Sequence, residues 1–334
     1  MGDDRTLGML LPWHQENWQL LQSGISSNRL PHAILLTGAA GLGKHLFARR
    51  LAASLLCKER SADGRPCGVC QNCRLFRVGN HPDFRQIMPE EEGKAIKIDI
   101  IREFTAKEAL TAQAGGYKVV IIEPADALNI AAANSLLKTL EEPVEWTVMI
   151  LLTAKPSHLP ATIRSRCQCY HFAPPDRAQA VEWLSDQITD TDPELMLALT
   201  SNSPLKALDL ANPEMLKERL KMLDEFIGIQ QQTCDPVMVA SRWKSLDLQP
   251  VLNWLSSWVI DMIRLKASPG TTVIINLDQK ESLQALGSRL NFIQLYRLLD
   301  QIYEAIRSSG SQLNTHMLLE NLLLTWAGNV EGEQ

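Results

Sequence analysis

Residues 33–45 read AILLTGAAGLGKH, an apolar run that leads directly into a loop of glycines and a lysine. The run 33–37 predicts a buried strand, and residues 44–57 place apolar side chains at helical spacing. A glycine loop between a strand and a helix is the context of a phosphate-binding loop, whose backbone N–H groups surround a phosphate. The stretch therefore predicts an α/β domain with a parallel sheet.

The loop keeps some of the groups that bind a nucleotide and lacks others. Gly38, Gly41, Gly43 and Lys44 are present, but His45 stands where a Ser or Thr hydroxyl would reach Mg²⁺. Imidazole is a poor ligand for Mg²⁺, which prefers oxygen. We expect nucleotide binding to be weak or absent and hydrolysis not to occur. The simpler alternative is an inherited turn that binds nothing.

The sequence around this loop continues the α/β pattern. Residues 118–123 and 147–153 predict two more buried strands, and residues 129–142 predict a helix that ends before a proline. Another helix is predicted from an N-cap at Asp99 to about residue 112. Strands that alternate with helices are typical of a parallel sheet.

A pair of prolines, Pro174-Pro175, interrupts this alternation and marks a domain boundary. Beyond it the apolar spacing is helical nearly to the end of the chain. We therefore predict three domains: an α/β domain over residues 1–172, a three-helix unit over 173–211 and an all-α domain over 212–334.

Composition and charge narrow the class of protein. The chain has 334 residues and a net charge of −5, and its Lys and Arg residues are spread along it. Tight DNA binding by this chain alone is disfavoured, because such binding normally needs a basic stripe. No apolar run approaches the ~18 residues of a membrane span, and the first residues do not have the pattern of a secretory signal. We expect a cytoplasmic protein that does not interact with a membrane.

Four of the seven cysteines lie within one short segment, in the spacing C-x9-C-x2-C-x2-C. Four thiolates suit a tetrahedral Zn²⁺ ion, and a site with four protein ligands has no open position for catalysis. The segment therefore predicts a knuckle (residues 57–73) that holds one structural zinc ion per chain; the alternative is a set of unrelated thiols. The predicted ligands are Cys57, Cys67, Cys70 and Cys73.

Ser165-Arg166-Cys167 follows the predicted strand 147–153 by about a dozen residues. Arginine carries a planar, permanently charged group that stabilises a γ-phosphate during transfer, either within a chain or across an interface. Taken alone, the pattern favours an ordinary surface arginine. Its place shortly after a strand, on a chain whose own glycine loop is degraded, favours a subunit that serves the active site of a neighbour.

In type and order, these features resemble the delta-prime family of bacterial DNA polymerase III clamp-loader subunits, a branch of the AAA+ family. The resemblance is dense over about residues 12–210 and thin beyond them, where only the helical architecture matches. It is carried by Leu30-Pro31-His32-Ala33, the glycine loop, the cysteine knuckle, Glu123-Pro124-Ala125-Asp126, the run from Leu136 to Pro143, and Ser165-Arg166-Cys167.

The resemblance implies an AAA+ module, a small helical lid and a helical collar that holds a ring of subunits together. It implies gamma/tau and delta subunits as partners in loading a sliding clamp onto primed DNA. It further implies that Arg166 acts in trans on ATP held by a neighbouring gamma/tau subunit, with Ser165 and Cys167 at that interface. Thr153 matches the family's first sensor, whereas Leu205 stands where hydrolysing relatives carry a second sensor arginine.

Three alternative functions stay open at this point. A gamma/tau-like subunit or an autonomous AAA+ ATPase should carry Ser or Thr after Lys44, an Asp-Glu pair after the strand, and the second sensor arginine. The chain instead has His45, Glu123-Pro124 and Leu205, so we expect no intrinsic ATPase activity and no tight binding of Mg²⁺–ATP. A stand-alone zinc-dependent DNA-binding protein is the third alternative, which the acidic balance disfavours.

Overall fold

The computed structural model describes residues 7–91, 93–108, 114, 116–308 and 314–328, without the side chains of residues 105–108. The chain divides after Gln179 into two compact units, and the boundary falls inside a helix. The first unit is α/β and the second is helical. The predicted order of an α/β region followed by an all-α region is confirmed, while the division of the helical part into a lid and a collar stays a prediction.

The first unit contains a five-stranded parallel sheet. Its strands are β1 (Ala33–Thr37), β2 (Phe84–Ile87), β3 (Lys118–Ile122), β4 (Thr147–Thr153) and β5 (Gln168–His171). They lie in the order β2-β3-β4-β1-β5, and every described pairing is parallel. The predicted strand 147–153 is confirmed with the same bounds, and the predicted strand 118–123 is one residue shorter.

Described helices of the first unit are α1 (Gln15–Ser26), α2 (Lys44–Leu56), α3 (Gln71–Arg77), α4 (Ile98–Glu108), α5 (Ile130–Glu141) and α6 (Ala161–Arg164). The side chain of Asn129 caps α5 by accepting a hydrogen bond from the N–H of Ala132 at 2.8 Å. α4 begins at Ile98, so the prediction of Asp99 as its N-cap is wrong: Asp99 lies in the first turn. The predicted end of this helix, near residue 112, lies outside the described residues.

Side chains of β1 alternate between two hydrophobic cores, one on each face of the sheet. Ile34 and Leu36 belong to a core that also contains residues of α2, whereas Leu35 belongs to a core that contains residues of α5. Because both faces are covered, β1, β3 and β4 are buried along their whole length. This burial explains why their sequences are continuous apolar runs.

Register places the glycine loop at a defined edge of the sheet. Thr37, the last residue of β1, lies opposite Thr153 on one side and His171 on the other. The loop therefore leaves β1 at the carboxyl edge of the parallel strands, where open α/β sheets bind their ligands.

The second unit consists of helices packed around one hydrophobic core. Its helices are α7 (Arg177–Ser185), which contains the boundary, α8 (Pro193–Leu199), α9 (Pro204–Leu210), α10 (Pro213–Gln230), α11 (Pro236–Trp243), α12 (Leu248–Ala267), α13 (Lys280–Ser288), α14 (Phe292–Ser308) and α15 (Thr315–Gly328). Leu184 and Met196 of the predicted lid share this core with Trp258 of the predicted collar. Phe226 and Trp326 stack within it, with ring centroids 4.1 Å apart. Among the described residues, none of the helices combines the length and the apolar character that crossing a membrane requires.

A buried arginine of α10 forms hydrogen bonds with the segment that precedes α13. Arg219 is 1% exposed, and its guanidinium donates hydrogen bonds to Asp278 at 2.7 Å and to Asn276 Oδ1 at 2.6 Å. Asn276 in turn donates to Asp261 of α12 at 2.8 Å. Since buried polar groups are stable only when they are paired, this network fixes the segment against two helices.

Replacing Arg219 with alanine should lower the free energy of unfolding of the second unit by roughly 3 kcal/mol, because it leaves buried acceptors without donors. Urea denaturation measures the change. Lys217→Ala is the matched control on the same helix, since Lys217 makes only an exposed ion pair with Glu214. Equal shifts of the denaturation midpoint in both variants would show that the buried network contributes nothing.

Candidate functional site

The glycine loop has a backbone that only glycine accommodates easily. Gly38, Gly41 and Gly43 all have positive φ angles. A Cβ atom at Gly38 would lie 2.3 Å from the carbonyl oxygen of Phe172, and one at Gly43 would lie 2.5 Å from Leu11 Cδ1. The loop is therefore held in its shape both by its own conformation and by close packing.

Lys44, the residue that would contact a phosphate, is bonded to the loop itself. Its side chain is buried, and Nζ donates hydrogen bonds to the carbonyl oxygens of Gly38 at 2.8 Å and Ala39 at 2.7 Å. Carbonyl dipoles thus stabilise the ammonium charge.

His45 and Glu123 are paired by a hydrogen bond between Nδ1 and Oε2. Their side chains are 39% and 28% exposed, at the first turn of α2 and just after β3. In nucleotide-hydrolysing loops these two positions hold Mg²⁺ through a hydroxyl and a carboxylate. Sequence reasoning identified His45 as a lost magnesium ligand but missed its pairing, because the two residues are far apart in the chain and meet only through the fold.

Thr153 lies at the same edge of the sheet, and its hydroxyl is already engaged. It is 1% exposed and donates a hydrogen bond to Asp126 Oδ1 at 2.5 Å, while its oxygen accepts one from the N–H of Lys155 at 2.9 Å. The structure therefore brings the glycines, Lys44, His45, Glu123 and Thr153 to one edge, where the side chains of these four residues bond to groups of this chain.

An N-terminal segment also contacts the glycine loop, and sequence reasoning gave it no role. His14 is fully buried; its Nδ1 accepts a hydrogen bond from the N–H of Leu11, and Nε2 lies 2.8 Å from the carbonyl oxygen of Leu42. Trp13 Nε1 donates to the same carbonyl at 3.0 Å. Burial lowers the pKa of His14 to about 4, so the ring is neutral near pH 7. These contacts hold the backbone of the glycine loop at Leu42.

The four cysteines of the predicted knuckle are brought together. Their ligand atoms all lie within 4.8 Å of one another, so they could hold a metal ion. Sulfurs at ~2.3 Å from a tetrahedral Zn²⁺ lie roughly 3.8 Å apart, and the Sγ atoms of Cys57 and Cys70 are 4.0 Å apart. The N–H groups of Cys67 and Cys70 donate to the Sγ atoms of Cys57 and Cys67, respectively, each at 3.3 Å. Such donors stabilise thiolates, which metal ligation requires.

Local secondary structure fixes this cluster. Cys57 follows the last residue of α2, and Cys70 precedes the first residue of α3. The buried amide of Asn72 donates to the carbonyl oxygen of Leu56 at 2.8 Å, which joins the two helices. Burial raises the pKa of the Cys57 and Cys73 thiols, so metal binding there must release protons. α2 is 13 residues long, which separates the cluster from the glycine loop by ~20 Å.

Arg166 lies in the turn between α6 and β5 and is bound by α5. Its Nε donates to Glu141 Oε1 at 2.7 Å, Nη2 bonds the same oxygen, and Nη1 donates to the carbonyl oxygen of Thr162 at 3.0 Å. The side chain is 34% exposed. Ser165 beside it is exposed, and Cys167 packs against the core on the α5 face of the sheet. Burial raises the pKa of Cys167 to about 12, which makes it an unreactive thiol.

A parallel sheet with a glycine loop at its carboxyl edge, followed by a helical unit, defines a P-loop-type α/β protein. The family model described as "DNA polymerase III, delta subunit" matches residues 13–176, and the model of its C-terminal region matches residues 213–328. The delta' subunit of DNA polymerase III from Pseudomonas aeruginosa is 34% identical over 95% of this chain and 97% of that protein. The chain belongs to the DNA polymerase III delta-prime family.

A further relative and a solved structure are similar to this chain in part. The tau/gamma subunit of DNA polymerase III from Haemophilus influenzae is 36% identical over 94% of this chain, but the match covers only 44% of that protein. A crystal structure of a gamma-subunit-related protein from Thermotoga maritima covers 94% of this chain and 99% of that one, with 18% identity and a TM-score of 0.45.

Proposed function

We propose that this chain is a non-hydrolysing subunit of a DNA polymerase III clamp-loader complex. In this role it assembles with gamma/tau and delta subunits and supports the ATP-dependent loading of a sliding clamp onto primed DNA. Such a subunit acts in the cytoplasm. Its α/β module is followed by a helical lid (residues 173–211) and a collar (212–334), and the collar joins it to the other subunits of the ring. The observation that carries the proposal is the pairing of His45 with Glu123 at the positions that would bind Mg²⁺, on a chain of the delta-prime family that offers a half-exposed Arg166.

Three features of the chain support the absence of hydrolysis. The His45–Glu123 pair occupies the positions that would bind Mg²⁺, and Mg²⁺ neutralises the charge that develops on the transferred phosphoryl group. Pro124 replaces a residue that would activate water, and Leu205 replaces the second sensor arginine. Phosphate, sulfate or a nucleotide can still bind weakly at Gly41, Gly43 and Lys44.

The purified chain should show no ATPase activity above background, and Lys44→Ala should not change that rate. His45→Thr combined with Glu123→Asp should gain Mg²⁺-dependent thermal stabilisation by ADP, because the pair no longer fills the metal positions. This double variant should still not turn over ATP, since Pro124 and Leu205 remain. Phosphate release and thermal unfolding measure both outcomes. Robust wild-type turnover that disappears in Lys44→Ala would instead identify an autonomous ATPase.

Arg166 is proposed to complete the active site of a neighbouring gamma/tau subunit, with Ser165 and Cys167 at the same interface. A guanidinium has five N–H donors, and Glu141 and Thr162 accept three of them. The remaining donors, on a half-exposed side chain, can bind the γ-phosphate of ATP held by another subunit. Thr153 keeps the place of the first sensor but bonds to Asp126 within its own chain.

The metal of the cysteine cluster is proposed to be one structural Zn²⁺ ion, held by the four clustered thiolates. When bound, the ion supplies no catalysis, because four protein ligands fill its coordination shell. Its role is to hold the segment between α2 and α3.

A further inference from the structure

The guanidinium of Arg166 is oriented by a residue at the end of α5. Nε and Nη2 both bond one carboxylate oxygen of Glu141, and Nη1 donates to the carbonyl oxygen of Thr162. All three nitrogens of the group are therefore engaged, which fixes the plane of the guanidinium. An arginine in a surface turn would otherwise sample many rotamers.

Glu141 lies where a negative charge is unfavourable by itself. It is the last residue of α5, and the exposed carbonyl groups at a helix C-terminus repel carboxylates. Glu142 follows it at the C-cap and is also acidic. The bond to Arg166 offsets this repulsion for Glu141, whereas no described hydrogen bond or ion pair in the structure involves the Glu142 side chain. The two glutamates thus have similar helix positions and different partners.

We propose that Glu141 is a positioning residue for Arg166: it holds the guanidinium in the orientation from which its free N–H groups reach a phosphate on the neighbouring subunit. This inference rests on the proposed trans-acting function of Arg166. Orienting a catalytic group before the reaction removes the entropy cost of ordering it during the reaction. The carboxylate acts only through Arg166 and does not itself contact the phosphate.

Glu141→Gln tests the proposal, with Glu142→Gln as the matched control. In complexes rebuilt with gamma/tau and delta subunits, ATPase activity is measured with a clamp and primed DNA. Glu141→Gln should lower the rate part of the way towards that of Arg166→Ala, and Glu142→Gln should keep the wild-type rate. Combining Glu141→Gln with Arg166→Ala should give the rate of Arg166→Ala alone, because a positioning residue has no effect once its target is absent.

A spectroscopic measurement on the isolated chain separates positioning from a general structural effect. The Nε–H resonance of Arg166, assigned by its absence in Arg166→Lys, should be visible and slow to exchange in wild type and in Glu142→Gln. It should be lost or exchange rapidly in Glu141→Gln, while the thermal unfolding midpoint stays that of Glu142→Gln.

Outcomes for this inference and for the proposed function are distinguishable. If Arg166→Ala leaves the rate at the wild-type value, the trans-acting function fails, whatever Glu141→Gln does. If Arg166→Ala is defective but Glu141→Gln keeps both the wild-type rate and the protected Nε–H resonance, the trans-acting function stands and the positioning role of Glu141 is overturned.

Discussion

Replacing Cys73 with serine is expected to release the metal and to unfold the segment between α2 and α3. Cys73 is buried in the first turn of α3, with its sulfur among those of the other three cysteines. In zinc-finger peptides the metal contributes an apparent ~10 to 16 kcal/mol at pH 7. Losing even part of this energy exceeds the effect of ordinary surface substitutions, which is usually within about 0.5 kcal/mol.

Elemental analysis and thermal unfolding with and without a chelator measure this effect. Wild type should contain one zinc ion per chain and lose stability on chelation, and Cys73→Ser should contain little zinc and respond to the chelator weakly. Cys169→Ser is the control, because Cys169 is an exposed cysteine outside the cluster. Carefully purified wild-type protein without zinc, or with a metal bound by other residues, would refute the zinc assignment.

Replacing Arg166 with alanine should remove most of the activity of one ATP site in the assembled complex. An arginine supplied to a phosphoryl-transfer site can contribute ~10³ to 10⁵ in rate. In a ring with several ATP sites the total loss is partial, since only one interface uses this residue. Arg166→Lys should rescue poorly, because lysine keeps the charge but loses the planar group with its fixed donors.

Folding, zinc content and assembly serve as controls for this variant, and all three should stay at their wild-type values. Arg166 is 34% exposed and its partner Glu141 is 50% exposed, so removing their ion pair costs little stability. Clamp loading at the wild-type rate by Arg166→Ala complexes would show that Ser165-Arg166-Cys167 is an interface contact and not a catalytic one.

Local patterns in the sequence predicted the framework of the α/β unit well. The strand Thr147–Thr153 was predicted with its observed bounds because it is buried on both faces, which makes its sequence a continuous apolar run between two threonines. The cysteine cluster also depends on short-range spacing, and it is found. The cluster could be predicted because two overlapping CxxC units bring three sulfurs together with little help from the rest of the fold.

Pairings between distant residues could not be predicted in the same way. His45 meets Glu123 only because α2 begins and β3 ends at the same edge of the sheet, and Arg166 meets Glu141 only because α6 packs near the end of α5. The contact of His14 with the glycine loop could not be predicted from the sequence, because a single histidine forms no repeating pattern.

The most direct test is to add this chain to a fixed mixture of gamma/tau and delta subunits with the clamp and primed DNA, and to measure ATP hydrolysis. We predict that the wild-type chain, inactive alone, raises the rate, and that Arg166→Ala assembles equally well but raises it much less. Hydrolysis by the chain alone, or equal stimulation by Arg166→Ala and wild type, would contradict a subunit that serves its neighbour's site.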